Sequence, residues 1–393
     1  MRTLQKLRLD SFLSFAPGSE PIELQPLNVL IGPNGGGKSN LIEAIDLLSA
    51  TPYDVAKCIR DGGGVREWLW KGGQHSRPAT IDAIVETDKP KGRPLRYRLE
   101  ISEVAGRLEV LDESIEEVEP KSGESDVYFY YRFQHGRPVI NVRDLGESSP
   151  PRHLERASLR PDQSVLAQRK DPDQYPEVTS LGERFASFST FREWTIGRYA
   201  SLRRPQPADL PEDRLLADAR NLALVLNQIE HHVGRDFDKL LQRFLPQFER
   251  MSTVVSGGQV QFYLHEQGLG SPVPATRLSD GTIRFVAILA ALLTPKPPPL
   301  LCMEEPELGL HPDAVTIIAE LLVEASRRMQ LVVTTHSDAL VSALTTGVEA
   351  VVTCEKQGAG TVFKRLEAAS LGEWLEQYQL GDLWRMGELG ANP

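Results

Sequence analysis

The sequence predicts an α/β protein in which a mainly parallel sheet is flanked by helices and joined by an antiparallel β layer and a helical insertion. An apolar run at residues 27–31 suits a buried strand, and a glycine-rich loop follows it directly. After that loop, apolar residues recur at helical spacing over residues 38–50. The last third of the chain alternates helix-like and strand-like segments, which indicates parallel strands covered by helices.

Individual elements follow from local patterns. Before the glycine loop, the predicted strands are residues 4–9, 11–15, 22–24 and 27–31. Short β-rich runs separated by Gly and Pro turns predict the antiparallel layer, with strands at 81–85, 95–101, 108–111, 127–133 and 139–142. In the last third, we expect a helix at 282–293, a strand at 300–304, a helix at 313–328 and a strand at 331–335.

The middle of the chain differs in composition from both ends. It is rich in Arg, Pro and polar groups before it becomes helical. Its helical part has four apolar residues at heptad-like spacing: Leu222, Leu226, Ile229 and Val233. This periodicity is too short for a long coiled coil. We therefore expect a first lobe at residues 1–150, a mainly helical insertion at 151–252, and a second lobe at 253–393 that completes the sheet.

Composition excludes several classes of protein. The 393 residues are 40% hydrophobic, which is enough for a folded core. No apolar stretch approaches the roughly 20 residues of a membrane span, and the first ten residues lack a secretory signal, so we expect a cytoplasmic protein. The separated Cys58, Cys302 and Cys354 predict reduced, structural thiols. A net charge of −10 restricts any DNA contact to a local surface.

The glycine-rich loop carries the strongest chemical signal. Residues 32–39 fit the pattern GxxxxGK[ST], in which backbone N–H groups close around phosphates at a helix N-terminus. Lys38 would reach the β- and γ-phosphates, and the Ser39 hydroxyl would ligate Mg²⁺. The predicted cofactors are therefore ATP and Mg²⁺. The predicted nucleotide-binding residues of this loop are Asn34, Gly35, Gly36, Gly37, Lys38, Ser39 and Asn40.

Adjacent carboxylates end the predicted strand at 300–304. An acid at the carboxyl end of a parallel strand faces the crevice in which such sheets bind ligands. Glu304 would hold the Mg²⁺ shell, and Glu305 would orient or deprotonate the water that attacks the γ-phosphate. A solvated acidic turn is the alternative explanation of this pair.

Two weaker motifs flank these carboxylates. Small polar residues, including Ser279 and Gly281, open the helix predicted at 282–293 and predict outward-pointing N–H groups that bind phosphate. His336 follows the predicted strand at 331–335 and is a candidate catalytic residue. A capping serine and a packed histidine are the alternative interpretations.

The order and spacing of these four motifs resemble those of the ABC ATPase superfamily, in which they are called Walker A, signature, Walker B and switch histidine. The segments "GPNGGGKSNLIEAI", "LSDGTIRF", "EEPELGLHP" and "TTHS" are most similar to the RecF and structural-maintenance-of-chromosomes branch. Within that branch, the chain is similar to stand-alone ATPases that lack a Toprim domain and are related to OLD-type phage-defence proteins.

The resemblance implies a head-to-tail homodimer. Each ATP would lie between residues 32–39 of one subunit and Ser279 of the other. It also implies a glutamine that touches Mg²⁺, for which Gln163 or Gln168 could serve. Glu304 stands where Asp is more usual, and His311 stands where transporter ATPases have Asp; both departures suit the OLD-like branch.

Four functional classes are considered for a protein with these motifs. The leading hypothesis is an ATP-driven dimer switch in DNA maintenance or antiphage defence, with a partner effector protein. A motor subunit of a membrane transporter is the alternative, but about 240 residues separate Lys38 from Ser279, more than such motors usually have. Only 57 residues follow His336, too few for the nuclease domain of longer OLD proteins. A scaffold that binds ATP without hydrolysis is disfavoured by Glu305.

A local DNA surface is a further hypothesis. Residues 152–204 contain ten Lys or Arg against seven Asp or Glu, including Arg198, Arg203 and Arg204. A solvated helical surface explains so slight an excess as well.

Overall fold

The structure is a computed structural model of the chain. It describes residues 2–73, 77–87, 93–120, 123, 125–134, 137–142, 152–154, 158–192, 194–372 and 374–390.

Eighteen strands are assigned in these residues, and they are numbered in chain order. They are β1 (Leu4–Asp10), β2 (Ile22–Glu23), β3 (Leu27–Ile31), β4 (Ala79–Val85), β5 (Leu95–Val104), β6 (Arg107–Glu117), β7 (Phe129–Gln134), β8 (Arg137–Ile140), β9 (Arg152–His153), β10 (Ser189–Phe191), β11 (Gln206–Pro207), β12 (Phe248–Ser256), β13 (Gln259–Glu266), β14 (Val273–Pro274), β15 (Leu300–Glu304), β16 (Gln330–Thr334), β17 (Val351–Gln357) and β18 (Gly360–Arg365).

Twelve α-helices are assigned in the same residues, and they are also numbered in chain order. They are α1 (Lys38–Ala50), α2 (Val55–Asp61), α3 (Val65–Trp68), α4 (Val165–Gln168), α5 (Pro176–Ala186), α6 (Leu222–Phe244), α7 (Asp280–Leu293), α8 (Pro312–Ala325), α9 (Asp338–Ser342), α10 (Ala368–Leu371), α11 (Trp374–Gln377) and α12 (Leu380–Met386). None of them is long and apolar enough to cross a membrane.

The central sheet has six strands in the order β10-β15-β16-β3-β17-β18. All neighbours are parallel except the β17–β18 hairpin at one edge. Every residue of β3 and β16 is buried, as expected for parallel strands covered on both faces. Because the strands are parallel, the ends of β3, β15 and β16 meet at one edge of the sheet.

Successive residues of β3 face different cores, because side chains alternate along a strand. Val29 and Ile31 pack with α6, α7 and α8, whereas Leu30 packs with α1. The α1 side of the sheet is closed by an antiparallel sheet in the order β2-β1-β4-β5-β6-β7-β8-β9. Helix α1 is therefore held between two sheets, which fixes the loop that precedes it.

The predicted fold class is confirmed. Helix α1 begins and ends where the sequence predicts, and β15 has its predicted bounds. Helix α7 starts two residues before its predicted start, and α8 ends three residues before its predicted end. Strand β16 lies one residue earlier in the chain than predicted. The division into three domains stays a prediction, although β10, inside the predicted insertion, pairs with β15 in the central sheet.

The strand predicted at residues 11–15 is wrong. This segment is a turn in which Phe12 and Phe15 exchange backbone hydrogen bonds, and Ser11 and Leu13 have positive φ angles. The alternation of apolar residues resembles a strand, but the turn buries Phe12 edge-on against Trp68. Tertiary packing of one aromatic ring thus decides the local conformation.

A buried carboxylate joins β6 to the helical region. Glu113 is 2% exposed, and its Oε2 accepts from the backbone N of Val165, the first residue of α4, at 2.8 Å. Its Oε1 accepts from the hydroxyls of Tyr97 at 2.8 Å and Ser164 at 2.5 Å. Burial raises the pKa of Glu113 to about 7, although these hydrogen bonds act in the opposite direction.

This shift predicts pH-dependent stability. Because the folded pKa of Glu113 lies above its unfolded value of 4.5, the folded state holds the proton more tightly. The associated stability is present below pH 4.5 and is lost as the pH rises through 7, a change of about 3 kcal/mol. Relative to wild type, Glu113→Gln should therefore gain stability between pH 4.5 and 7, measured by urea unfolding.

Glu103→Gln is the control of opposite sign, because the exposed Arg66 lowers the pKa of Glu103. Parallel pH profiles for wild type and Glu113→Gln would contradict the assignment.

Candidate active site

The phosphate loop connects β3 to α1 at the carboxyl edge of the central sheet. Gly37 precedes the first residue of α1 and has a left-handed φ of 103°. A side chain at Gly37 would overlap Thr361, and a Cβ at Gly36 would lie 2.8 Å from the carbonyl oxygen of Cys354. Both positions therefore require glycine, because the loop backbone lies directly against the β17–β18 hairpin.

Polar contacts fix the loop in this position. The Thr361 hydroxyl donates to the carbonyl oxygen of Gly36 at 3.0 Å and lies 2.7 Å from Ser14 Oγ. Ser14 Oγ also accepts from Nδ2 of Asn40 at 2.7 Å. The predicted nucleotide-binding residue Asn40 thus braces the loop from its helix, while Asn34, Gly35 and Ser39 are exposed.

The ammonium group of Lys38 turns back into the loop. Its Nζ donates to the carbonyl oxygens of Gly32 at 2.6 Å and Pro33 at 3.1 Å. Burial lowers the pKa of Lys38, and the nearby Glu305 carboxylate partly opposes that shift. Lys38 is 6% exposed, so its charge is held in a concave site lined by backbone, which suits a phosphate oxygen.

The two predicted acidic residues lie two strands from the loop. Glu304 ends β15 and is in register with Thr334 of β16, which is in register with Leu30 of β3. With roughly 4.8 Å between strands, the Glu304 and Leu30 backbones are about 10 Å apart. The parallel register therefore brings the Glu304–Glu305 pair and the phosphate loop to the same edge of the sheet.

Glu305 has an unusual backbone conformation. Its φ is +43°, in the left-handed region, and its N–H donates to the Thr334 carbonyl oxygen at 3.0 Å. A non-glycine residue held there costs on the order of 1–3 kcal/mol, and such residues cluster at active sites. The Glu305 carboxylate is about two-fifths exposed, and its Oε1 lies 3.7 Å from His336 Nε2.

The predicted histidine thus meets the predicted base. Burial lowers the pKa of His336, and the positive charge of Lys38 acts in the same direction. The neutral imidazole is therefore favoured near pH 7. Lys38, Glu305 and His336 form one electrostatically coupled group.

Glu307 lies within the segment "EEPELGLHP", but the sequence predicted no role for this residue. Its Oε1 accepts from the Thr335 hydroxyl at 2.6 Å and from the His336 backbone N at 3.0 Å. Burial raises the pKa of Glu307. These bonds fix the backbone beside His336. Its position three residues after Glu304 was the only indication of a role in the sequence. That spacing does not predict that the chain turns back towards the residues that follow β16, where Glu307 makes these hydrogen bonds.

Arg192 was also missed as a site residue. It follows β10, and its guanidinium contacts Glu304 at 3.3 Å, Glu43 at 3.0 Å and Asp46 at 3.7 Å. It therefore links α1, which starts in the phosphate loop, to the strand that carries the acidic pair. Burial raises the pKa of Asp46 to about 6, against the effect of Arg192.

The predicted signature motif begins α7. Ser279 is the N-cap, and its Oγ accepts from the N–H of Thr282 at 3.1 Å. Gly281 lies beside the turn after β15: a Cβ added at Gly281 would lie 3.5 Å from the Gly309 carbonyl oxygen. Among the hydrogen bonds and ion pairs of the described residues, none joins the start of α7 to residues 32–40.

The proposed metal-binding glutamines have other partners. Gln163 donates to Asp54 Oδ1 at 2.7 Å and accepts from the N–H of Val55, at the start of α2. Asp54 lies beyond the end of α1, roughly 18 Å from its first turn at 1.5 Å per residue. Gln168 bonds to the backbone of Arg160. Neither amide is oriented towards the phosphate loop, so we do not retain either as a metal ligand.

The residues at the sheet edge fit a magnesium ion that arrives with a nucleotide. Glu304 Oε1 is buried, and among the described residues it has no hydrogen-bond partner, only the ion-pair contact to Arg192. Ser39 is exposed in the first turn of α1. Mg²⁺ in such sites is held by one or two protein oxygens together with phosphate oxygens. Glu304 and Ser39 would supply the protein oxygens.

The central sheet and this site have the fold of an ABC-type ATPase head. The chain belongs to the family described as "AAA domain, putative AbiEii toxin, Type IV TA system", which matches residues 27–342. No curated protein matches the sequence.

Solved structures of SMC heads are similar over nearly the whole chain. An SMC head bound to the C-terminal winged-helix domain of ScpA has a TM-score of 0.58 at 14% identity, covering 94% of this chain and 99% of that one. A head with an extended coiled coil, bound to the C-terminal domain of ScpA from Pyrococcus furiosus, has a TM-score of 0.58 at 13% identity, covering 96% and 99%. A head from Pyrococcus yayanosii has a TM-score of 0.53 at 12% identity, covering 96% and 99%. At these identities the likeness supports the fold alone.

The structure corrects the DNA-surface hypothesis for one residue. Arg203 is 2% exposed and donates to protein carbonyl groups, so it cannot contact DNA from this position. Arg198 and Arg204 are exposed. Sequence composition counted all three alike, because burial of an arginine is set by distant acceptors rather than by its neighbours in the chain.

Proposed function

We propose that this chain is a Mg²⁺-dependent ATPase that forms a homodimer around two bound ATP molecules. The observation that carries the proposal is the meeting of Lys38, Glu305 and His336 at one edge of the parallel sheet. The 3.7 Å contact between Glu305 and His336 joins two motifs that lie 31 residues apart in the sequence.

Each residue has a role that suits its surroundings. The loop of residues 32–39 binds the phosphates through its backbone, and Lys38 exchanges its carbonyl partners for β- and γ-phosphate oxygens. Glu304 and Ser39 would hold Mg²⁺, which when bound would neutralise charge that develops on the phosphates. Glu305 accepts a proton from the attacking water, and the neutral His336 donates a hydrogen bond beside it. The reaction yields ADP and phosphate.

The dimer accounts for the position of the signature. Ser279 is exposed, and its described contacts lie with Thr282 rather than with the phosphate loop of the same chain. A second copy, placed head to tail, would bring Ser279 and Gly281 to the γ-phosphate bound by the first. The helix N-terminus then supplies favourable electrostatics for the phosphate.

The dimer would act as a conformational switch in the cytoplasm, in DNA maintenance or in antiphage defence. The SMC-like fold supports the first role, and the family description, which names a toxin system, supports the second. The resemblance to OLD-like ATPases also supports a role in antiphage defence. A partner effector protein would read the switch, and exposed Arg198 and Arg204 are candidates for a DNA contact.

A transporter motor is the second candidate. Like the proposed dimer, it would hold ATP between two heads. The long separation of Lys38 from Ser279 and the similarity of nearly the whole chain to SMC heads favour the switch.

Turnover and solution mass together test the proposal. Wild-type protein should hydrolyse ATP with Mg²⁺ and lose activity in EDTA. Light scattering should give 43.7 kDa with ADP and twice that mass with a non-hydrolysable ATP analogue. Absence of Mg²⁺-dependent turnover would refute the ATPase, whereas turnover without a mass change would refute the dimer.

A further inference from the structure

Arg203 is an almost fully buried guanidinium in contact with the signature turn. Its Nε donates to the Ile196 carbonyl oxygen at 2.7 Å, and its side chain is 2% exposed. One terminal nitrogen donates to the Leu278 carbonyl oxygen at 2.5 Å and to that of Ala275 at 3.4 Å. The other pairs with Oδ1 of Asp280. All three donor nitrogens of the guanidinium are therefore engaged.

The acceptors on the signature side lie on both sides of Ser279. Leu278 precedes it and Asp280 follows it, and Ala275 begins the short 3-10 turn that leads into α7. Ser279 itself does not contact Arg203 in the described hydrogen bonds; it remains exposed at the N-cap. Arg203 thus holds the backbone before Ser279 and the side chain of the residue after it, and it does not engage the Ser279 hydroxyl.

Only arginine suits this arrangement. Its planar guanidinium presents five donors in a fixed geometry, whereas a lysine ammonium is a compact charge with three donors. Four acceptors spread over two segments match the planar group. A buried charge without these acceptors would be strongly unfavourable, so the contacts are coupled to one another.

We propose that Arg203 is the positioning residue that holds Ser279 and the start of α7 in the geometry needed by ATP bound to a second copy of the chain. The inference rests on the proposed homodimer. Arg203 would not touch the nucleotide; it acts on hydrolysis in the other subunit through the Leu278 carbonyl group and the Asp280 carboxylate, which flank Ser279. The same residue was a DNA-contact candidate on composition alone, and its burial gives it this different role.

The test uses Arg203→Met, which keeps length and apolar character but removes every donor. Its turnover should fall by up to about 100-fold, the loss that a misplacement of about 1 Å can cause from a site that does not touch the substrate. ATP binding to the monomer should be unchanged, because Arg203 has no described contact with residues 32–40. Arg203→Lys should give an intermediate loss. Arg220→Met, which removes an exposed arginine paired with Asp218, is the matched control and should retain full turnover.

A mixing experiment separates positioning from general damage. In a heterodimer of Arg203→Met with Glu305→Gln, one ATP site has an intact base from the first subunit and an intact signature from the second. When ATP is added to an equal mixture of monomers, the initial rate should therefore be about a quarter of the wild-type rate, because half of the first dimers carry one competent site of two. The rate should then decline as closed Glu305→Gln homodimers accumulate. An unfolded Arg203→Met chain could not supply this activity, and a thermal melt checks folding directly.

A second mixture distinguishes the failure of this inference from the failure of the dimer. Ser279→Arg blocks the signature directly and should also be rescued by Glu305→Gln. Failure of both mixtures would overturn the shared ATP site. Rescue of Ser279→Arg alone, or full turnover of Arg203→Met by itself, would overturn the role of Arg203.

Discussion

Glu305→Gln is expected to lower ATP turnover by about 10²- to 10⁴-fold, because the amide cannot accept the proton of the attacking water. Binding should persist, since the variant leaves the phosphate loop and Lys38 intact. Without hydrolysis, the ATP-bound dimer should accumulate, so the solution mass with ATP should be twice that with ADP. Phosphate release and light scattering on the same sample measure both effects.

The matched control is Glu324→Gln, which removes an exposed carboxylate from α8 and should leave turnover unchanged. Normal turnover of Glu305→Gln, with no mass change on ATP addition, would show that another group is the base and that the switch is wrong.

Lys38→Met is expected to abolish nucleotide binding as well as turnover. Lys38 is the buried cation within the phosphate loop, and without it the loop must hold phosphate charge by backbone N–H groups alone. At an ATP concentration 100 times Kd, wild type should gain about 2.7 kcal/mol of stability from ligand binding. The variant should show no rise in Tm with Mg²⁺ and ATP. Differential scanning fluorimetry measures this.

Lys57→Met provides the comparison, because Lys57 is an exposed lysine paired with Asp61 on α2. It should keep the full thermal shift. An equal shift in Lys38→Met would mean that ATP binds elsewhere on the chain.

The sequence was sufficient for three of the six strands of the central sheet, β3, β15 and β16, and for the order of its chemistry, because the patterns that predict them are local. Strand β3, the loop and α1 are contiguous, and each has a clear period, so their bounds could be predicted. The acidic pair was equally visible because it ends an apolar strand. Such motifs combine pattern and position within a few residues.

What the sequence did not reveal depends on contacts between distant residues. Thr361 reaches Gly36 across 325 positions, and Arg203 reaches Leu278 across 75. Nothing local separates Arg203 from Arg204, yet one is buried and the other exposed. The strand predicted at residues 11–15 was wrong for a related reason. Apolar and polar residues alternate there as in a strand, but Phe12 packs on Trp68 and the segment forms a turn.

The position of β3 also restricts when the nucleotide loop can form during synthesis. Its two sheet neighbours, β16 and β17, come from residues about 300 positions later in the chain, and Thr361 is needed to hold Gly36. Contacts between residues so far apart in the chain form late, and they reduce the rate of folding. A nascent chain that already carries the whole GxxxxGK[ST] motif therefore cannot complete its phosphate site until the β17–β18 hairpin has left the ribosome. Nucleotide would then bind chains that already extend beyond the β17–β18 hairpin, and it would not act as a template for shorter ones.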